Sequence, residues 1–433
     1  MIRIKKLSTY APFAAIGIIT LSYLAAQQWL FPADEETPSP PIALPEEKTA
    51  APPANVQAPV QETNATDTWP LYHGSYDLRG TSSAVLPEKP MRVWQYLGEG
   101  AIRQPPVGDA RGVYVATRTG SVVGLDFSGN VRWTKQVMRR NPADGAEMPE
   151  RFEAPVACIR STVLIGSTAG IVYALDSETG AERWKYDVGG EVLGTVTAYE
   201  PANEADPVRL FVIERAEGAL HCIDFETGSR VWRTDPINRT DGSAVVGNDM
   251  VVFGSCEAAI HVYSIYDGRL MRSVALCGDC QVAAGIALVG DEVFSGCRSG
   301  HFYRVNARVG SVVWQNEDSE KDIFSTPTLC SGVVVFGSED GTVYALDPET
   351  GKQKWQFKTD GNPLSPVSAG DKIAVSVNGT LHFLSAKTGE SIWSYEVSDA
   401  ITSPSLINGM VIVGGEDGSV TAFGSSPPEQ GAS

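Results

Sequence analysis

Four of the seven cysteines lie close together in the sequence and are the residues best able to bind a metal or undergo redox chemistry. They are Cys256, Cys277, Cys280 and Cys297, and the middle pair forms a C-x-x-C motif. Outside the cytoplasm, such a group favours one or two disulfides. Four thiolates could instead hold zinc, although two of the ligands would then be contributed singly. A c-type haem would need a histidine where Gln281 stands.

The histidines and aspartates occupy repeated positions that favour a structural role. The sequence contains repeated segments, and three of the five histidines stand at a position where other copies have tyrosine, namely His221, His261 and His382. One aspartate recurs in front of the turn glycine of several repeats, at Asp126, Asp176, Asp224 and Asp347, which is typical of tight hairpin turns. The sequence has no H-E-x-x-H, no phosphate-binding glycine loop and no G-x-S-x-G nucleophile turn. We therefore predict no catalytic residues.

These residues are carried by a sequence repeat of about 40 residues. The phrase "VYALDSETGAERW" at 172–184 returns as "VYALDPETGKQKW" at 343–355, and weaker copies occur elsewhere. Alternating β-branched and aromatic residues predict a strand, D-x-x-T-G predicts a turn, and a second strand follows that ends on Trp. Because two more apolar strands precede each copy, every repeat holds four antiparallel strands, as in a β-propeller blade.

The number of repeats predicts an all-β, eight-bladed β-propeller of four-stranded antiparallel blades. Seven copies are complete, whereas the eighth begins at 415–423 and lacks its Trp strand. A suitable strand stands at the other end of the domain, in "MRVWQY" at 91–96. We predict that it completes the last blade of a propeller spanning 91–424, which would remove free sheet edges.

The A-x-D-x-x-T-G-x-x-x-W repeat resembles that of the pyrroloquinoline-quinone-like β-propeller family over residues 91–424. That family includes quinoprotein alcohol dehydrogenases, and the sequence is most similar to the non-enzymatic propeller of the outer-membrane protein assembly machinery. Residues 69–90 look like the lead-in segment of the family. The resemblance implies that one Trp per blade docks against the next blade, at Trp94, Trp133, Trp184, Trp232, Trp314, Trp355 and Trp393. Blade 4 departs from the pattern, since Arg272 stands in its Trp column. Cys256 and Cys297 fall in loops of blades 4 and 5, and Cys277 and Cys280 fall in the connection between these blades, so we expect all four thiols to meet there and one or two disulfides to staple the junction.

The residues before the propeller predict where it works. Residues 1–31 read as a cytoplasmic start and a transmembrane anchor, because basic residues precede an uncharged apolar run at 7–31. A cleaved signal peptide is the alternative, although no clean A-x-A site follows. Residues 32–68 are rich in Pro and Ala and carry seven acids against Lys48, which predicts a disordered tether. We expect a disordered tail at 425–433 and a single-pass inner-membrane protein with its propeller in the periplasm.

Charge and architecture limit the possible functions. The formal net charge is −18 without a basic stripe, which argues against nucleic acid as a partner. The resemblance implies a membrane-anchored protein-binding scaffold for envelope proteins, serving envelope or outer-membrane protein assembly without a cofactor. One alternative is a dehydrogenase using pyrroloquinoline quinone and calcium, but the dehydrogenases of the family carry a Cys-Cys pair beside the cofactor and this sequence has none. Another alternative is a sensor of small ligands in the propeller channel.

Overall fold

A computed structural model describes residues 68–425 of the protein, apart from Glu204 and Ala284. The predicted anchor at 1–31, nearly all of the predicted tether at 32–68 and most of the predicted tail at 425–433 therefore lie outside the described residues. Within 68–425, no helix has the length and apolar character needed to cross a membrane.

The described chain folds into an eight-bladed β-propeller, and each blade contains a four-stranded antiparallel sheet. This confirms the predicted all-β architecture and the number of blades. The strands that precede blade 1 are β1 (Thr81–Ser82) and β2 (Met91–Leu97). Blades 1 and 2, with a hairpin between them, are formed by β3 (Val107–Asp109), β4 (Gly112–Ala116), β5 (Ser121–Leu125), β6 (Val131–Gln136), the hairpin strands β7 (Met138–Arg140) and β8 (Glu147–Pro149), then β9 (Ala157–Ile159), β10 (Thr162–Gly166), β11 (Ile171–Asp176) and β12 (Glu182–Asp187).

The remaining blades follow in chain order. Blades 3 to 5 are formed by β13 (Thr197–Tyr199), β14 (Arg209–Ile213), β15 (Leu220–Asp224), β16 (Arg230–Arg233), β17 (Val245–Gly247), β18 (Met250–Ser255), β19 (Ala259–Ser264), β20 (Leu270–Ala275), β21 (Ala287–Val289), β22 (Glu292–Gly296), β23 (Phe302–Asn306) and β24 (Ser311–Asn316). Blades 6 to 8 are formed by β25 (Thr328–Cys330), β26 (Val333–Ser338), β27 (Thr342–Leu346), β28 (Gln353–Lys358), β29 (Val367–Ala369), β30 (Lys372–Val377), β31 (Thr380–Ser385), β32 (Ser391–Glu396), β33 (Ser405–Ile407), β34 (Met410–Gly414) and β35 (Ser419–Gly424).

Burial within a blade follows the distance of each strand from the propeller axis. The short first strands contact one another around the axis, as β13 does with β17 and β17 with β21. Second and third strands are covered by the neighbouring blades on both faces, so β26 is buried throughout and reads as a continuous apolar run. Fourth strands lie at the rim, and β28 accordingly alternates between exposed and buried residues.

The propeller is closed by the strand that the sequence predicted. Strand β2 pairs antiparallel with β35, with Met91 opposite Gly424 and Leu97 opposite Ser419. Blade 8 therefore has the order β33, β34, β35, β2, and its outermost strand comes from the start of the domain. Hydrogen bonds thus tie the first strand of the closed ring to the last one.

The lead-in segment, residues 69–90, crosses the axis at one end of the blades. Its main-chain groups bond to the first strands of six blades, at Gly108, Cys158, Val246, Leu288, Leu329 and Ser368. Its strand β1 also pairs in parallel with β29 as a fifth strand of blade 7. Trp69, Leu71 and Leu78 of the segment are buried. We call this end the turn face, because the turns between first and second strands lie there.

The opposite end is called the loop face. It carries the loops between second and third strands and the connections from each blade to the next. The sequence did not reveal how differently the two faces are covered, because the lead-in segment contacts blades that are distant from it in the chain.

Candidate functional site

The cysteine group predicted at blades 4 and 5 is only partly assembled on the loop face. Cys277 and Cys280 lie in the connection between these blades and form a disulfide, with their Cα atoms 5.4 Å apart. Cys297 is free and lies in the loop of blade 5, where Ser299 Oγ is 3.2 Å from Cys297 Sγ and 3.0 Å from Cys280 Sγ. The disulfide closes a turn within one connection, so it does not staple the two blades as expected from the sequence.

Cys256 is not a member of that group. It is free, its main-chain N–H donates to Arg239 O at 2.8 Å, and its charged neighbours are Asp241, Arg239, Arg298 and Arg215. Burial raises the pKa of the Cys256 thiol. The expectation that all four thiols meet is therefore wrong. Cys277 and Cys280 are joined, Cys297 is separated from Cys280 by the Ser299 hydroxyl, and the loop of blade 4 carries Cys256 towards the connection between blades 3 and 4.

Sequence reasoning missed His301, which completes the group. Its Nδ1 atom lies 3.2 Å from Cys277 Sγ and 3.3 Å from Cys280 Sγ. The ligand atoms of Cys277, Cys280 and His301 all lie within 4.8 Å of one another. A signal was present, since His301 stands at the repeat position that Ser121, Ile171 and Thr342 hold in other blades.

The tryptophans implied as docking residues lie between consecutive blades. Five indoles donate Nε1–H to a main-chain oxygen of the next blade at 2.9–3.1 Å, those of Trp133, Trp184, Trp232, Trp314 and Trp355. Each of them also covers the turn glycine of that blade, as Trp94 covers Gly129. Trp393 has a different setting, because the fourth strand of blade 8 does not follow its third in the chain. Its ring packs against Phe423, with centroids 5.7 Å apart.

Arg272 occupies the place of the missing indole between blades 4 and 5. A Cβ atom built on Gly310, the turn glycine of blade 5, would lie 3.0 Å from Arg272 Cδ. The guanidinium donates from Nη1 to Met271 O at 2.7 Å, which is within its own strand. This junction therefore has an aliphatic stem over the glycine in place of an aromatic ring.

We expect Arg272→Trp to stabilise the propeller by about 1–2 kcal/mol, because an indole would bury more apolar surface over Gly310 and could donate to the next blade. Urea unfolding followed by fluorescence would measure the change. Arg269→Trp is the matched control, since Arg269 is exposed on the same blade. An unchanged or lower midpoint for Arg272→Trp would show that the junction has no room for an indole.

The central channel opens on the loop face as a funnel. Its cavity of about 260 Å³ is lined by the connections between blades, and Tyr72 of the lead-in segment forms its floor. Tyr72 Oη is hydrogen-bonded to Thr326 Oγ1 at 2.9 Å and to Ser365 Oγ at 2.7 Å, and burial raises the pKa of Tyr72. At the mouth, Phe324 and Leu364 are each 37% exposed.

The charged side chains that line the funnel, Arg103 and Asp241, form ion pairs. Asp241 Oδ1 lies 2.7 Å from Arg215 Nε, and Asp241 Oδ2 lies 3.0 Å from Arg239 Nη2. Burial alone would raise the pKa of Asp241, but hydrogen bonds from Arg239 and Arg215 outweigh it and hold that pKa below its usual value. Arg103 in turn pairs with Glu416 at 3.0 Å. The funnel thus offers one carboxylate that two guanidinium groups neutralise.

This donor set does not fit a quinone held with calcium. Calcium needs six or more oxygen ligands, several of them usually from carboxylates. The described residues that line the funnel supply only Asp241, whose oxygens face Arg215 and Arg239. The described residues of the funnel therefore do not fit the calcium and quinone of a dehydrogenase.

A second cavity on the loop face, of about 640 Å³, contains His221 between blades 2 and 3. Arg233 Nε donates to His221 Nε2 at 3.2 Å, so the Nδ1 atom carries the proton and donates to Tyr186 Oη at 2.8 Å. Burial, followed by the positive charges of Arg233 and Arg230, lowers the pKa of His221 to about 4. The imidazole is therefore neutral at physiological pH and holds Tyr186 and Arg233 in place.

We expect the protein to lose stability as the pH falls from 6.5 towards 4, partly through His221. Because the folded-state pKa lies below that of the unfolded chain, the unfolded chain binds more protons in this window. For His221 the loss at about pH 5 amounts to about 2 kcal/mol. Urea unfolding midpoints at neutral and acidic pH would measure it, and His221→Gln should show a shallower dependence. An equal dependence in both proteins would contradict the assignment.

Solved structures of two kinds share this architecture. BamB from Moraxella catarrhalis matches with a TM-score of 0.64 at 22% identity, covering 78% of this chain and 98% of that one. Quinohemoprotein alcohol dehydrogenase from Comamonas testosteroni matches with a TM-score of 0.67 at 15% identity, covering 84% and 82%. At these identities the likeness shows the fold alone, and it defines a class of eight-bladed propellers that includes both assembly factors and enzymes.

The sequence narrows this class to one family. A family model described as outer membrane protein assembly factor BamB matches residues 141–279, 270–368 and 358–426. The protein of that name from Moranella endobia (strain PCIT) is 24% identical over 315 residues, which are 66% of this chain and 77% of the relative. The chain belongs to the family of outer membrane protein assembly factor BamB. The resemblance inferred from the repeat is thereby confirmed.

Proposed function

We propose that the protein is a binding scaffold for other proteins of outer-membrane protein assembly, and that it acts without catalysis or cofactor. The family supports this process, since its members are named as assembly factors. The structure supports a binding role because the funnel mouth is concave and carries part-exposed apolar side chains, which suits it to holding a side chain of a partner. Dehydrogenase relatives share the fold, but the donor set of the funnel does not fit their cofactor.

The observation that carries the proposal is the arrangement of Phe324 and Leu364 at the funnel mouth. Both side chains are part-exposed at the centre of the loop face, and Arg298 lies over the Phe324 ring at 5.0 Å from its centroid. Aromatic and arginine side chains around an apolar centre are typical of the residues that dominate binding energy at protein interfaces. The surrounding charges of Arg103 and Asp241 would form the polar rim.

A sensor of small ligands is less well supported by the same funnel. Its volume of about 260 Å³ is small for a ligand pocket, for which about 300–1,000 Å³ is usual. The Tyr72 hydroxyl at the floor is also bonded to Thr326 and Ser365, so recognition there would have to break existing hydrogen bonds.

The proposal includes a location. Residues 1–31 would hold the protein in the inner membrane by a single transmembrane helix, residues 32–68 would tether the propeller, and the propeller would lie in the periplasm. The support is the uncharged apolar run at 7–31 behind three basic residues. Protease added outside the inner membrane should digest the propeller of spheroplasts, while a cytoplasmic protein stays intact.

The binding role is tested by cross-linking and affinity capture from envelopes of the source bacterium. The full chain should recover outer-membrane assembly proteins, whereas Phe324→Ser with Leu364→Ser should lose them by about tenfold or more, since hot-spot residues contribute about 2 kcal/mol each. Val309→Ser is the control, because Val309 is 70% exposed away from the mouth in the last turn of blade 5. Undiminished capture by the double variant, or equal loss in the control, would refute the mouth as the docking site.

A further inference from the structure

The turn between blades 4 and 5 brings together three departures from the repeat. Cys277 and Cys280 lie in the connection, and His301 points its Nδ1 at both sulfur atoms from the loop of blade 5. Cys280 is fully buried, and its Sγ also lies 3.0 Å from Tyr303 Oη. Two sulfurs and one imidazole nitrogen within 4.8 Å of each other form the donor set of a soft metal site.

Cys297 is the fourth departure and lies on the same side. Blades 1, 2, 4 and 6 have a hydroxyl residue at its position, and Thr117 and Ser167 use that hydroxyl to accept an N–H from the end of the loop. A thiol is a weaker acceptor, so Cys297 is not explained by the turn. The Ser299 hydroxyl lies between Cys297 Sγ and Cys280 Sγ at 3.2 and 3.0 Å. Cys297 lies outside the three donors that are within 4.8 Å of one another, so it would become a fourth ligand only when Ser299 moves from between the two sulfurs.

The disulfide itself adds little to stability. It spans only three positions of the chain, and the turn is already closed by the Cys280 N–H donating to Cys277 O at 3.1 Å. Cross-links stabilise chiefly by restricting long loops of the unfolded chain, so a bond across so short a segment contributes least. A stabilising role of the disulfide therefore does not explain why His301 and Cys297 lie beside it.

We propose that Cys277, Cys280 and His301, with Cys297 as the fourth ligand, bind one zinc ion when the disulfide is reduced. Zinc accepts a Cys₃His set in tetrahedral geometry, with bonds of about 2.0–2.3 Å that place neighbouring ligand atoms about 3.5–3.8 Å apart. His301 Nδ1 already lies 3.2 and 3.3 Å from the two sulfurs, which would separate from each other on reduction. A bound zinc ion would supply the positive charge needed to deprotonate the three thiols. The site thus exists in two forms, a disulfide without metal and a zinc thiolate.

The two forms differ by two electrons. A dithiol reductant would exchange with the Cys277–Cys280 disulfide, leaving two thiols on this chain and a disulfide on the reductant. Zinc binding then releases the protons of the three coordinating thiols. Oxidation of the pair by a protein disulfide would reverse the exchange and expel the ion. Zinc occupancy of the loop face would therefore report the thiol–disulfide balance around the protein.

The test compares the full chain in its oxidised form with the chain reduced by a phosphine and then freed of reductant. After incubation with zinc and desalting, we expect one zinc per reduced chain and none per oxidised chain. Cobalt in place of zinc should give the sulfur-to-metal charge-transfer absorption of thiolate coordination. His301→Gln should weaken binding by about 100-fold or more, since even outer-sphere partners are worth 10–100-fold.

Cys256→Ser provides the matched control, because Cys256 lies in the neighbouring loop and outside the group. It should leave zinc stoichiometry and the cobalt spectrum unchanged. Reduced chains that retain no zinc would overturn the proposal. So would a cobalt spectrum without sulfur charge transfer, or binding that Cys256→Ser weakens as much as His301→Gln does.

Discussion

Trp133→Ala is expected to lower the free energy of unfolding by about 3–5 kcal/mol, as large-to-small changes of buried aromatic residues do. Trp133 is only 8% exposed, covers Gly180 of blade 2 and donates from Nε1 to Ser177 O at 2.9 Å. The substitution would open a cavity between two blades and leave that oxygen unpaired. Urea unfolding of the two proteins would give the difference.

Trp133→Phe separates the two contributions at the same position. It keeps an aromatic ring over the glycine and loses only the indole N–H and part of the volume, so we expect a cost of about 1–2 kcal/mol. If Trp133→Ala lowers the free energy of unfolding no more than Trp133→Phe does, packing of the ring between the blades contributes little to stability.

Gly228→Ala is expected to cost about 2–5 kcal/mol, from a strained backbone and a displaced indole together. Gly228 has a φ of +68°, and an added Cβ would lie 2.6 Å from Cδ2 of Trp184. The rigid indole could relieve this contact only by leaving the turn, which would also stretch its hydrogen bond to Phe225 O. Denaturant unfolding would measure the loss.

Gly370→Ala is the control for the backbone alone. Gly370 has a φ of +60°, and a Cβ there would meet nothing within 4 Å. We expect it to cost about 1–2 kcal/mol, the strain of a left-handed backbone conformation. If Gly228→Ala and Gly370→Ala lose equal free energy of unfolding, the indole of Trp184 moves aside freely, which would contradict the docking role of the blade tryptophans.

The fold was predictable because its determinants are local and repeated. Each blade repeats the same strand pattern, the same D-x-x-T-G turn and the same Trp, so the count of copies gives the count of blades. Closure was predictable for the same reason, since the missing Trp strand of blade 8 could be found around Trp94. Departures were also visible as residues out of pattern, such as Arg272, whose stem now lies over Gly310.

The candidate metal site was only half predictable, because it depends on where loops turn. The sequence places Cys277 and Cys280 in one connection, but the direction of the neighbouring loops decides which residues reach them. The loop of blade 4 turns at Ala258, which corresponds to Gly300 in blade 5, but Cys256 stands two residues before that position and Cys297 three, so Cys256 ends beside Arg239. In blade 5 it turns at Gly300 and presents His301, which no spacing rule had marked as a ligand.

The lead-in segment makes the two ends of the central channel different. Because its main chain bonds to first strands of six blades at the turn face, and Tyr72 forms the floor of the funnel, the channel is a dead end with a single entrance. Among residues 68–425, the lead-in segment thus covers the turn-face end of the channel, and under the proposed function a partner would enter from the loop face. A bound segment would therefore enter and leave through the same opening, which is lined by Phe324 and Leu364.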